Sequence, residues 1–223
     1  MNLLAVDTSS GNLSFGIMVK DKIVLSFDRR IKFGASKLLT YLDSYCKSTP
    51  LDLKRIDAFV IGSGPGSFTG LRVSFSVIKA LSISLNKPII SIGSFFSCAY
   101  PFVDRQEKIA VITDARRSLI YASSFLVKSG KLKKEEKEKL TSLEKFIKEK
   151  GKYFFITYDE NIRRLALKVN PEINFYSKDV YPRAKNLLLL AKEYYNKEKF
   201  TLVSKLEPLY IHPKTCQIRI KAK

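Results

Sequence analysis

The sequence predicts an α/β protein of two lobes, and three observations carry that prediction. A strand, an Asp-led turn and a second strand occur twice, at residues 3–19 and again at 109–127. Strand-like and helix-like apolar periods alternate along the chain instead of segregating into one class. Finally, 223 residues with 45% hydrophobic and 27% charged side chains are enough for two cores of ordinary size, and the boundaries fall at 1–100 and 101–223.

The first lobe begins with the apolar runs 3–6 and 12–19, separated by Asp7-Thr8-Ser9-Ser10-Gly11 and followed, after Asp21-Lys22, by Ile23 to Phe27. That order reads as a three-strand meander. Ser36 can cap a helix bearing Leu38, Leu39, Tyr41, Leu42, Tyr45 and Cys46, which is more apolar surface than one contact requires. A short buried strand over 57–61 leads into the turn GSGPGSFTGLR, residues 62–72. Residues 71–85 fit both an alternating strand and a helix; about 15 residues is long for a strand, so helix is expected. Pro88 then starts the strand 89–92, and 100–107, with Pro101, is read as a linker.

In the second lobe the strand 109–113, the turn Asp114-Ala115-Arg116-Arg117-Ser118 and the strand 119–127 repeat the opening, with Asp7 and Asp114 in equivalent places. Residues 128–152 hold ten Lys and five Glu and are expected to form a solvated loop and helix. A strand at 153–157, a helix from about Glu160, an extended piece at 173–176, a helix over 183–196 and a basic tail complete the chain.

Composition narrows the function. The N-terminus lacks a basic region before its apolar residues, and no run approaches the roughly 18 apolar residues of a membrane span, so neither a signal peptide nor a membrane association is expected. Cys46, Cys98 and Cys216 are odd in number and widely spaced, which suits neither a disulfide framework nor a metal site and points to the cytoplasm. The net charge is +19, of which the second half supplies +13. Such an excess favours an RNA or an acidic protein as partner, although scattered Lys also serves solubility.

The motifs leave alternatives open. Hydroxyls and backbone N–H groups of a tight hairpin can hold phosphate, and a carboxylate at its base can hold the water shell of Mg²⁺, a role open to Asp7, Thr8, Ser9 and Ser10. Ordinary polar turns would look the same. In the Gly-rich turn, Gly62, Gly64, Pro65, Gly66, Ser67, Thr69 and Gly70 match neither the Walker A nor the dinucleotide spacing. They suit a conformationally demanding turn, with Ser67 or Thr69 capping the helix that follows. His212 is the only histidine, so no His pair can hold a metal.

The doubled hairpin resembles the actin-like (ASKHA, ribonuclease H-like) superfamily, whose two hairpins grip ATP across a cleft. LLAVDTSS, IGSGPGSFTGLRV, TDARRSLIY and EPLYIHP together resemble the TsaB (YeaZ) family along essentially the whole chain. That resemblance implies a non-catalytic subunit of tRNA N6-threonylcarbamoyladenosine synthesis that binds and activates the catalytic paralogue TsaD as a heterodimer. It also implies the ATPase TsaE as a further member of the complex, ATP or ADP with Mg at the level of that complex, and a homodimer when the chain is alone. The partner surface is assigned to Leu38, Leu39, Leu42, Tyr45, Arg72, Phe75 and Lys79, and a direct tRNA contact to Lys214, Arg219, Lys221 and Lys223. A small ATPase or kinase using Asp7, or a tRNA-binding subunit, are the rival readings. The chain departs from the family pattern at Ser74-Phe75-Ser76 and Ser118-Leu119, where Gly residues are frequent, at Ala35 for His, and at His212 for Arg.

Overall fold

A computed structural model of the chain describes residues 1–30, 35–49, 52–105 and 107–211. The first sheet runs β3-β2-β1-β4-β5, from β1 (Leu3–Asp7), β2 (Asn12–Val19), β3 (Lys22–Arg30), β4 (Ala58–Gly62) and β5 (Ile89–Ile92). The meander is antiparallel, while β4 lies parallel to β1 and β5 parallel to β4. Helix α1 (Ala35–Lys47) and helix α2 (Phe68–Leu85) cover one face. The ambiguous segment is therefore a helix, three residues longer at its start than its apolar pattern suggested.

The second sheet, β8-β7-β6-β9, repeats this plan with β6 (Ile109–Arg116), β7 (Leu119–Lys128), β8 (Lys131–Thr141) and β9 (Phe154–Ile156). Again the first three strands are antiparallel and the fourth is parallel to the first. Helices α4 (Leu143–Lys150) and α5 (Glu160–Val169) pack on one face through Phe146, Ile147, Ile162 and Ala166. The fold is thus the duplicated actin-like α/β fold.

Three expectations change. Residues 131–141 form an edge strand instead of a solvated loop. Its alternating charges leave one side to solvent while Ser123 Oγ donates to Glu136 O and Ser124 Oγ to Glu135 Oε2; a Lys-rich edge also discourages pairing with other chains. The linker at 100–107 is a 3₁₀ turn (Tyr100–Arg105) continuing a helix, α3 (Ser94–Ala99), that the sequence reading omitted. Helix α2, at 18 residues and mean hydropathy 1.3, does reach the length and composition of a membrane span. Its Leu71, Phe75, Val77 and Ile78 are buried in the first lobe's core, as a core helix requires.

Chain order and lobe membership part company after residue 183. Helix α6 (Ala184–Asn196) lies on the other face of the first sheet, where Ala184, Leu187, Leu188 and Ala191 pack against Leu3, Ala5, Val60 and Ile90. Its Leu188 and Ala184 press on Gly16 of β2, where a Cβ would come within 2.9 Å. Helix α3 meets α6 and also the second sheet, through Phe95, Cys98 and Ala99. The two helices therefore form the seam between the lobes. Ser97 Oγ accepts from Arg183 N and lies 2.9 Å from Arg183 O, and Asn186 Nδ2 donates to Ser97 O at 2.9 Å.

Candidate functional site

The parallel strands β1, β4 and β5 end side by side, which places Asp7, Gly62 and Ser94 at one crevice, the usual ligand end of such a sheet. Asp7 is 1% exposed. Its Oδ1 accepts from Ser9 N (2.8 Å) and Ser9 Oγ (2.6 Å), and its Oδ2 from Ser94 Oγ (2.7 Å). Ser94 Oγ in turn accepts from Gly64 N at 3.0 Å. Burial pushes the Asp7 carboxyl above its ordinary value, opposed by the bonds from Ser9 and Ser94.

The Gly-rich turn closes over this hairpin. A Cβ on Gly62 would lie 1.8 Å from Asp7 Oδ2, one on Gly66 2.1 Å from Ser9 O, and one on Gly70 2.3 Å from Thr8 O. Only glycine permits that approach. Ser67 N donates to Ser9 O at 2.6 Å, and Ser67 Oγ accepts from Gly70 N, capping α2 as expected. Thr69 is exposed in the first turn, and the Gly64–Pro65 peptide is cis, with Gly64 at φ +94°. Thr8 Oγ1 sits 2.8 Å from both Gly70 O and Ser74 Oγ. Thr8 and Ser9 are buried and only Ser10 is partly open. Two of the hydroxyls expected to face phosphate are bonded to the protein instead: Thr8 Oγ1 to Gly70 O at the end of the closely fitting Gly-rich turn, and Ser9 Oγ to Asp7.

The second hairpin corresponds to the first with one correction. Leu4 pairs with Phe59 on the α1/α2 face of the first sheet, and Ala110 with Phe155 on the α4/α5 face of the second. Counting three residues onward matches Asp7 to Thr113 and Gly62 to Tyr158. Asp114 falls on the opposite face from Asp7's counterpart, is exposed, and accepts from Arg116 N at 2.8 Å. Strand alternation turned the one-residue offset into a change of face. Thr113 bonds to the Tyr158 hydroxyl, which burial raises well above its usual range and which also feels Cys98 and Asp7. Cys98 is likewise raised, first by burial and then by Asp7. Asp7, Cys98 and Tyr158 thus act on one another electrostatically, and Tyr181 stacks on Tyr158 with centroids 5.4 Å apart. Among the described residues no three His, Cys, Asp or Glu side chains converge to hold a metal. Tyr158 was not singled out from the sequence, and Cys98 was weighed only as a disulfide or metal residue, because neither lies in a recognisable motif.

The residues assigned to a partner surface divide. Leu38, Leu42 and Phe75 are 1%, 4% and 3% exposed and belong to the first lobe's own core, so they are not available to a partner. Tyr45 is half-buried against Phe15 and Phe27, and Lys79 is half-buried. Leu39 and Arg72 are exposed. The sequence reading missed the rest of the face: Phe68, Ser76, Ala80 and Ser84 continue from Arg72 at intervals of four, and Ile83, 68% exposed, stands beside them. Leu39, Ser76, Val77, Ala80, Leu81 and Ser84 line an open groove between α1 and α2. That spacing was visible in the sequence, although its small residues drew no attention in so apolar a helix. Over the start of α2, Leu209 N donates to Ser63 O, Tyr210 packs on Phe68 at 5.3 Å, and Arg72 lies 3.8 Å over the Phe68 ring while donating to Tyr210 Oη. His212, Lys214, Arg219, Lys221 and Lys223 lie outside the described residues.

Comparison with known proteins fits this architecture. The family model described as "TsaD: tRNA N6-adenosine threonylcarbamoyltransferase" matches residues 35–203. The tRNA threonylcarbamoyladenosine biosynthesis protein TsaB of Bacillus subtilis is 28% identical over 176 residues, 75% of this chain and 76% of its own. TsaB of Buchnera aphidicola subsp. Schizaphis graminum is 26% identical over 196 residues, 83% and 90% of the two chains. Among solved structures, YeaZ from Pseudomonas aeruginosa superposes with a TM-score of 0.80 at 22% identity, covering 94% of this chain and 99% of that one.

Proposed function

The chain belongs to the family that the TsaD model describes and, within it, to the TsaB (YeaZ) group, and on that premise we propose that it serves tRNA threonylcarbamoyladenosine biosynthesis as an accessory subunit that holds the catalytic paralogue TsaD. The observation that carries this reading is the bonding of Asp7. Both its oxygens are occupied by Ser9 and Ser94 in a buried crevice, so the group best suited to hold a hydrated Mg²⁺ is engaged in fixing the Gly-rich turn. That fixed turn sets the pose of α2, and α2 presents the open face.

The partner surface we assign is Leu39, Phe68, Arg72, Ser76, Ala80 and Ile83. Small residues at intervals of four let a helix approach closely, and Phe68, Arg72 and Ile83 supply apolar and cationic contacts at the edges. The same face would serve a second copy of the chain when TsaD is absent. TsaE and tRNA then meet the chain through the complex, in the cytoplasm. The test is co-purification with TsaD and reconstitution of tRNA modification with wild-type chain and with Ile83→Asp. An exposed position leaves folding within about 0.5 kcal/mol, while an unpaired charge buried at the contact abolishes pairing. Full modification without this chain would overturn the accessory role.

A further inference from the structure

At the end of the lobe seam remote from Asp7 lies a cavity of about 280 Å³, which the proposed function does not use. Phe96, Tyr100 and Val103 wall it from α3 and the turn that follows. Leu189, Leu190, Glu193, Tyr194 and Lys197 wall it from α6, Lys199 from just beyond, Gly130 from the turn between β7 and β8, and Lys131 and Leu132 from the start of β8. Three aromatic rings and four aliphatic side chains thus form its body, and three lysines stand against one glutamate.

Lys131, Lys197 and Lys199 all line this cavity beside Glu193, and Glu193 is held below its ordinary carboxylate range first by its bond to Lys197 and then by Lys131 and Lys199. Lys199 Nζ sits 5.8 Å from the Tyr194 ring centroid. Glu193 neutralises Lys197 through their ion pair, which leaves Lys131 and Lys199 exposed and in surplus. The carbonyls at the end of α6 do not oppose an anion strongly, because Glu193 O, Tyr194 O and Tyr195 O accept from Lys197 N, Lys199 N and Glu198 N. A further acidic group, Glu138, lies within reach of Tyr194 and is paired with Lys134.

We propose that this cavity is a binding site for a small aromatic monophosphate of nucleotide size, its ring against Phe96, Tyr100 and Leu190 and its phosphate between Lys131 and Lys199. The walls come from α6, which packs on the first sheet, and from α3 and the β7–β8 turn, which belong with the second. A bound molecule would therefore tie the lobes together from behind, without touching Asp7. Aromatic and apolar lining with few charged groups at one side is the usual make-up of such a site.

The test is calorimetric titration of the intact chain with AMP, with adenosine and inorganic phosphate as its two halves. AMP should bind, and each half should bind at least about tenfold more weakly, since ring and phosphate contribute separately. Lys131→Ala with Lys199→Ala should weaken AMP about tenfold or more by removing the charge-assisted bonds. Leu190→Trp, which fills the cavity and leaves the lysines in place, should abolish binding; both variants are checked for a wild-type melting transition, and Lys131→Ala alone, at the exposed first residue of β8, covers any loss of fold. No detectable binding of AMP overturns the proposal. So does phosphate binding as tightly as AMP, or AMP binding that Leu190→Trp leaves unchanged.

Discussion

The two hairpins have the same topology and opposite fates. In the first, Asp7, Thr8 and Ser9 are buried beneath the Gly-rich turn and their polar groups are bonded to the protein. In the second, Arg116, Arg117 and Ser118 all adopt positive φ, at 66°, 55° and 59°, and the tip stays open to solvent. The duplicated frame supplies two equivalent corners; what differs is whether another segment closes over them. The first corner has become a lock that poses α2, while the second has kept a left-handed backbone at an exposed tip.

The largest test of that contrast is steric. Gly62→Ala and Gly66→Ala place a Cβ 1.8 and 2.1 Å from Asp7 Oδ2 and Ser9 O, and each should cost about 4 kcal/mol or more in urea unfolding, in the range reserved for overpacked or disrupted buried networks. Gly11→Ala, with φ +80° but open space around it, should cost only about 1 kcal/mol. Equal losses at all three would mean that the turn does not clamp the hairpin.

Next comes the buried carboxyl. Asp7→Ala strands the donors Ser9 N, Ser9 Oγ and Ser94 Oγ and should cost about 2–3 kcal/mol. Asp7→Asn keeps an acceptor for Ser9 N and should be near neutral at pH 7. Because folding raises the Asp7 pKa above its ordinary value of 3.8, the folded state holds the proton more tightly than the unfolded one. Its favourable contribution is therefore complete below that value and is lost as pH rises through the folded pKa. Asp7→Asn should flatten this part of the stability profile, measured by denaturation from pH 3 upward; an unchanged profile would show that another group sets it. The smallest effect belongs to the open corner: Ser118→Gly should gain up to about 1 kcal/mol by relieving a left-handed backbone, and a loss there would reveal a side-chain role at the tip.

Much of this is legible in the sequence. The first-lobe meander, the helix after the Gly-rich turn and its capping by one of Ser67 and Thr69 follow from local patterns in which period and turn chemistry agree. The edge strand 131–141 was missed because charges hide an alternation that hydrophobicity would have displayed. The burial of Leu38, Leu42 and Phe75 could not be told from exposure by period alone, since α1 and α2 are apolar on more than one face and only tertiary packing decides which face turns inward. The pairing of Thr113 with Tyr158 depends on the β6–β9 register within the second sheet, and their place near Asp7 on how the lobes pack, quantities no local window contains.

Helix α6 has a consequence for how the molecule is made. The face of the first sheet that carries Leu3, Ala5, Val60 and Ile90 is covered by residues 184–191, so a ribosome that has released 100 residues has released a sheet with one greasy side still bare. Synthesis at about 5–20 residues per second leaves that side waiting for several seconds. The nascent chain should be a chaperone client until its last quarter emerges, and a fragment cut at residue 100 should aggregate instead of folding.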